Sequence, residues 1–152
     1  MKSKLAALLM LLPLSASADE APDVLATWQE DHAVIFEAGD ITLEQFKWIA
    51  RPLVVFGDSP LDPQFRQQME LINARLEDLA LRDVIVITDT DPDARSAIRT
   101  ALRPRAFMLA LVGKDGQVKL RKPRPWDVRE LSRSIDKMPL RQQEIEDRRA
   151  GG

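Results

Sequence analysis

No cysteine occurs in the 152 residues of this chain. That absence excludes a disulfide framework and every mechanism that needs a thiolate: peroxide reduction, disulfide exchange and thiolate metal binding. Histidine is nearly as scarce, His32 being the only one. A serine such as Ser59 therefore has no evident base to activate it as a nucleophile. Neither sign of charge dominates. Charged residues make up 30% of the chain and the formal net charge is −2, without the basic excess of a nucleic-acid binder. No apolar run is long enough to cross a bilayer as a helix. The longest, Leu5 to Leu14, has about ten residues, where roughly 20 are needed.

That short run has a different reading. Lys2 and Lys4 precede it, and Ser15-Ala16-Ser17-Ala18 follows with the small-x-small pattern of a signal-peptidase site. Residues 1–18 are thus expected to be a signal peptide, placing the mature protein in the periplasm or outside the cell with no transmembrane segment after cleavage. Its removal takes the formal charge from −2 to about −4. No lipobox cysteine is present to carry a lipid anchor. Apolar residues at 45% supply a core, and a mature chain of this size can hold itself together by apolar burial.

Residues 19–39 read as a polar, loosely docked N-terminal arm with Trp28 as its tether; within it His32 to Phe36 reads as a short strand, and Glu37 to Asp40 as a turn. Asp40 or Thr42 can cap a short helix ending at Arg51-Pro52. Leu53 to Phe56 is apolar without alternation, the pattern of a central strand covered on both faces. Gly57 to Pro63 is a loop, and Asp62-Pro63 supplies an N-cap and a proline at the first helical position. Phe65, Met69, Ile72, Leu76 and Leu79 then mark one long amphipathic helix. Val84 to Thr88 repeats the buried-strand pattern. Asp91-Pro92 repeats the helix punctuation, opening a short helix through Ile98 and Leu102. Phe107 to Val112, a turn with Asp115-Gly116 as a two-residue loop, and Val118 to Arg121 form a hairpin. Val128, Leu131, Ile135 and Met138 stripe a last helix, and residues 140–152 read as a polar tail, frayed or disordered.

The order β-α-β-α-β-β-α predicts an α/β domain over residues 40–139, with a mixed central sheet and helices on both faces. The stretches PLVVFGDSPLDPQFRQQ, RDVIVITD, FMLALVGKDGQVKLR and KMPLRQQE resemble the exported bacterial domain-of-unknown-function family numbered 4174. This family is similar to secreted peroxiredoxin-like domains. The resemblance implies a thioredoxin-like three-layer sandwich and brings no catalytic residue with it. In catalytic thioredoxin-like proteins the loop after the first central strand holds the reactive cysteine; here Gly57, Asp58, Ser59 and Pro60 stand there. No cofactor is implied, and no enzymatic activity is expected.

Two places remain as candidate binding sites. The first is the loop Gly57-Asp58-Ser59-Pro60, beside a helix N-terminus that favours anions; the plainer alternative is that Asp58 and Ser59 satisfy the turn. The second is the basic strip Lys119, Arg121, Lys122 and Arg124, joined by Arg103 and Arg105 if the neighbouring strand lies alongside. It suits an anionic ligand or an acidic partner, or it protects an edge strand from pairing with other chains. Asp89 to Asp93 has alternating aspartates but fails the calcium-loop pattern, with Ala94 sixth and Thr100 twelfth; capping accounts for it. The expectation is an exported binding module for an envelope protein, with a small-molecule or anion binder using the 57–63 loop as the alternative.

Overall fold

The computed structural model describes residues 23–152. The expected signal peptide and the first residues of the arm lie outside the described residues. Five strands form one mixed sheet: β1 (Ile35–Glu37), β2 (Arg51–Phe56), β3 (Val84–Asp89), β4 (Met108–Val112) and β5 (Val118–Lys122), in the spatial order β1-β3-β2-β4-β5. β1 and β2 run parallel to β3, whereas β4 is antiparallel to β2 and β5 to β4. Every residue of β2 is buried, as expected for a strand with neighbours at both edges and helices on both faces.

Six helices accompany the sheet among the described residues: α1 (Val24–Glu30), α2 (Pro63–Asn73), α3 (Leu76–Ala80), α4 (Ala97–Leu102), α5 (Val128–Asp136) and α6 (Pro139–Ala150). Alternation along the strands splits the core in two. Val54, Phe56, Ile85, Ile87 and Ala110 face Trp28 of α1, Phe46, and Ile98 and Leu102 of α4. Leu53, Val55, Val84, Val86 and Leu109 face Ile72 of α2, Leu79 of α3, and Leu131 and Ile135 of α5. This is the thioredoxin-like sandwich.

Several elements differ from the sequence expectation, each for a local reason. The arm is not loosely docked: Asp23 caps α1 through the Leu25 N–H, and Trp28 is buried with the His32 ring edge-on at 4.0 Å. The helix expected before Arg51 shrinks to a 3-10 turn at Leu43–Phe46, because Lys47 leaves helical geometry with ψ 130° and Trp48 then takes a left-handed conformation with φ 64°. The long helix breaks at Ala74–Arg75, between α2 and α3; the apolar stripe runs through the break, so periodicity alone does not reveal it. Asp91-Pro92 opens only a 3-10 turn, and Ser96 caps α4 by accepting from the Arg99 N–H.

The hairpin turn also differs. Gly113 and Gln117 close it by a backbone hydrogen bond, and the Gly116 N–H donates to the Gly113 carbonyl. Three residues thus form the loop. Only the third, Gly116, has a positive φ, at 80°, the usual arrangement of a type I turn followed by a left-handed glycine. The tail, finally, is not frayed: residues 139–150 form α6, with Pro139 in its first turn and Arg141 buried.

Replacing Trp28 by alanine should destabilise the protein by about 3–5 kcal/mol, read as a lower urea midpoint. A loss below about 0.5 kcal/mol, the range of a surface change, would contradict the docking of α1.

Candidate functional site

Parallel α/β sheets present ligands at the carboxyl ends of their strands, which here is the end where β2 stops at Phe56 and β3 at Asp89. An ion pair sits at that end, beside a cavity of about 230 Å³ lined by Thr88, Asp89, Asp91 and Ser96. The Asp89 carboxylate is buried and accepts from Arg99 Nη2 at 2.7 Å, from Arg99 Nε at 3.1 Å and from Ser96 Oγ at 2.6 Å. Arg99 lies over the Phe56 ring, 5.3 Å from its centre, and donates to the Gly57 carbonyl.

The loop Gly57-Asp58-Ser59-Pro60 is tied into this arrangement. The Gly57 N–H donates to the Asp89 carbonyl at 2.9 Å, and Ser59 Oγ accepts from the Leu61 N–H. A side chain at Gly57 would meet Phe65 Cβ at 3.0 Å, so α2 packs closely on the loop. Asp58 and Pro60 are exposed. Asp91 caps its 3-10 turn, and among the described residues no group of three or more histidines and carboxylates is placed to hold a metal.

The basic strip divides. In β5, Arg121 pairs with Ala110 and Lys122 with Leu109, so the two point to opposite faces. Arg121 donates to the Leu102 carbonyl and passes Met108 Sδ at 3.6 Å. Lys122 lies 4.2 Å from the centre of the Trp126 ring. Lys119 folds back onto Asp115 at 2.7 Å, whose carboxyl is lowered chiefly by that hydrogen bond, and Arg124 is exposed. Arg103 and Arg105 do come alongside. With Arg121 and Lys122 they line a cleft of about 260 Å³ over Phe107 and Met108. Among the described residues none of these four cations is in an ion pair.

A second charged centre, not anticipated from the sequence, closes the opposite end of the sheet. Arg51 opens β2 and is 1% exposed. Its Nη2 donates to Glu144 Oε1 at 3.0 Å, and its Nη1 donates to the Arg82 carbonyl at 2.9 Å and to Glu144 Oε2 at 3.3 Å. Lys114 Nζ stands 2.7 Å from Glu144 and 2.8 Å from Asp83. Arg141 also reaches Glu144 at 3.3 Å, and Arg82 grips Asp136 with two hydrogen bonds of 2.9 and 2.8 Å. Burial pushes the Glu144 carboxyl up, but the hydrogen bonds and charges of Lys114 and Arg51 outweigh it and hold the group at about 2. Arg82 chiefly holds Asp136 below its ordinary value. A signal for the helix that carries Glu144 did exist: Met138-Pro139 is the same punctuation as Asp62-Pro63 and Asp91-Pro92, a proline in the first turn.

A family model described as Domain of unknown function (DUF4174) matches residues 42–144, and the chain belongs to that family. No curated protein matches the chain. The fold is therefore that of a thioredoxin-like domain from which thiol redox chemistry is excluded, since no cysteine is present. Arg51, Lys114 and Glu144 come from three separate parts of the matched region and meet in one cluster.

Glu144 titrates at about 2 when folded against an ordinary 4.5. A lowered carboxyl contributes stability that is whole above the unfolded value and is lost as pH falls through the folded one. Glu144→Gln should thus cost about 3 kcal/mol near neutral pH, with the gap to wild type closing between about pH 4.5 and pH 2 in urea unfolding. A gap that stayed constant across that window would contradict the assignment.

Proposed function

We propose that this chain is an exported, thiol-free binding module of the cell envelope, acting in the periplasm or outside the cell. Its cleft of Arg103, Arg105, Arg121 and Lys122 holds an acidic segment of another envelope protein. One observation carries the reading: Arg103, Arg105 and Arg121 line a cleft of about 260 Å³ with Lys122 at its edge, and none of them has a carboxylate partner among the described residues. Like charges held together repel, and the arrangement is relieved when a partner supplies carboxylates. Arginine suits the task because its planar fork accepts a carboxylate by two parallel hydrogen bonds. Phe107 and Met108 give the cleft an apolar floor, which lowers the dielectric around such a contact. Export is supported by the signal-like pattern of residues 1–18. A ligand at the Gly57–Pro60 loop is the weaker reading, because the Gly57 amide and carbonyl and the Ser59 hydroxyl are already engaged.

The test is binding of a fluorescein-labelled Glu/Asp-rich peptide to the chain from Asp19 onward, beside Arg103→Gln/Arg105→Gln/Arg121→Gln, followed by capture from envelope extract with both. Wild type should bind the peptide with an affinity that falls steeply as salt rises. It should also retain an acidic envelope protein that the variant loses. Equal retention by both, or peptide binding indifferent to salt, would contradict the proposal. Binding of free phosphate at the same residues without any peptide binding would replace the protein partner by a small anion.

A further inference from the structure

The Arg51 end of the sheet carries a cavity that the reading above does not use. It measures about 360 Å³, within the range of small-ligand sites. Trp48, Met138, Pro139 and Leu140 line it together with Arg51, Lys114, Asp115 and Lys119, so the lining carries three cations to one carboxylate. Trp48 is 69% exposed, yet its backbone is fixed: φ is 64° and its N–H donates to the Lys114 carbonyl at 2.7 Å. A bulky residue held in the left-handed region stores strain, and here it stands an indole at the mouth of an apolar cavity.

The ion-pair cluster at this end of the sheet, of which Arg51 and Lys114 reach the cavity, is unbalanced. Ion pairs connect Arg51, Arg82, Lys114, Arg141 and Arg148 to only Asp83, Asp136 and Glu144. Two of the cations, Arg51 and Arg141, are more than nine-tenths buried. The Arg141 Nε–H is buried without a hydrogen-bond partner, its nearest carboxylate oxygen on Asp136 standing off at 3.5 Å. Lys119 at the rim has its own Asp115 and leaves the surplus untouched. Buried cations in excess of carboxylates are costly unless an anion completes them.

We infer that this cavity binds a small anionic amphiphile, an apolar chain or ring carrying one carboxylate. The apolar body packs against Trp48, Met138 and Leu140. The carboxylate faces Lys119 and Lys114 at the mouth, within the field of the surplus positive charge. The site lies at the turn of the β4–β5 hairpin, whereas the arginine cleft lies at its other end, so the two bind independently.

Decanoate is the probe, with decanol as the uncharged chain of equal length, and calorimetry on the chain from Asp19 onward is the readout. Decanoate should bind saturably at one site, at concentrations below its self-association. Decanol should bind at least about tenfold more weakly, a difference of roughly 1.4 kcal/mol. Trp48→Ala and Lys119→Gln alter exposed side chains, so both should keep the wild-type circular dichroism while each weakens decanoate. Arg103→Gln/Arg105→Gln/Arg121→Gln should bind decanoate as wild type does. Equal affinity for decanol, unchanged affinity in both single variants, or no saturable binding would each overturn the inference.

Discussion

A guanidinium at the first position of the central strand, almost wholly removed from water, is the constraint on which the rest of this structure depends. Desolvating such a cation costs several kcal/mol unless a carboxylate meets it in good geometry. Arg51 meets Glu144, 93 residues away. That pairing pulls the C-terminal helix against the sheet end and brings the hairpin turn with it through Lys114, and the start of β3 through Asp83 and Arg82. Helix α6 has little apolar surface to position it, Arg141 being its one buried residue. Its register is therefore set by ion pairs rather than by a stripe, a use of buried charge that fixes one arrangement rather than adding net stability.

The two ends of the sheet are closed by the same kind of device. At the carboxyl ends of β2 and β3, where catalytic members of this fold class carry a thiol, Asp89 and Arg99 lock the loop of Gly57 to α4. Thiol chemistry has no place there, since no cysteine is present. The β4–β5 hairpin carries both remaining candidate sites, the arginine cleft at one end and the Trp48 cavity at the other. A layered fold permits this, because the sheet and its helices hold position while surface residues are changed.

What the sequence disclosed followed periodicity and punctuation. The apolar run Leu53 to Phe56, the stripes of α2 and α5, and the Asp62-Pro63 cap gave the sheet, its layers and the fold class, because each depends on neighbours close in sequence. The break between α2 and α3 was hidden, since Ile72, Leu76 and Leu79 keep the same spacing whether the helix bends or stops. Of the basic strip, Arg121 and Lys122 belong to the cleft with Arg103 and Arg105, but Lys119 is drawn off by Asp115, four residues away in the hairpin. The Arg51–Glu144 pair was out of reach: a charged residue before a proline reads as the end of a helix, and a charged tail reads as solvated. Only the three-dimensional register shows that the two are partners.

A double-mutant cycle on Arg51→Met and Glu144→Gln, read by urea unfolding near neutral pH, tests the central claim most directly. Each single change strands one buried charge or its partner, and the double change removes both. If the pair organises the fold, the double variant is more stable than the sum of the single losses allows, by about 2 kcal/mol or more. Losses that add within about 0.5 kcal/mol would show that the two side chains act separately and that α6 is held by something else.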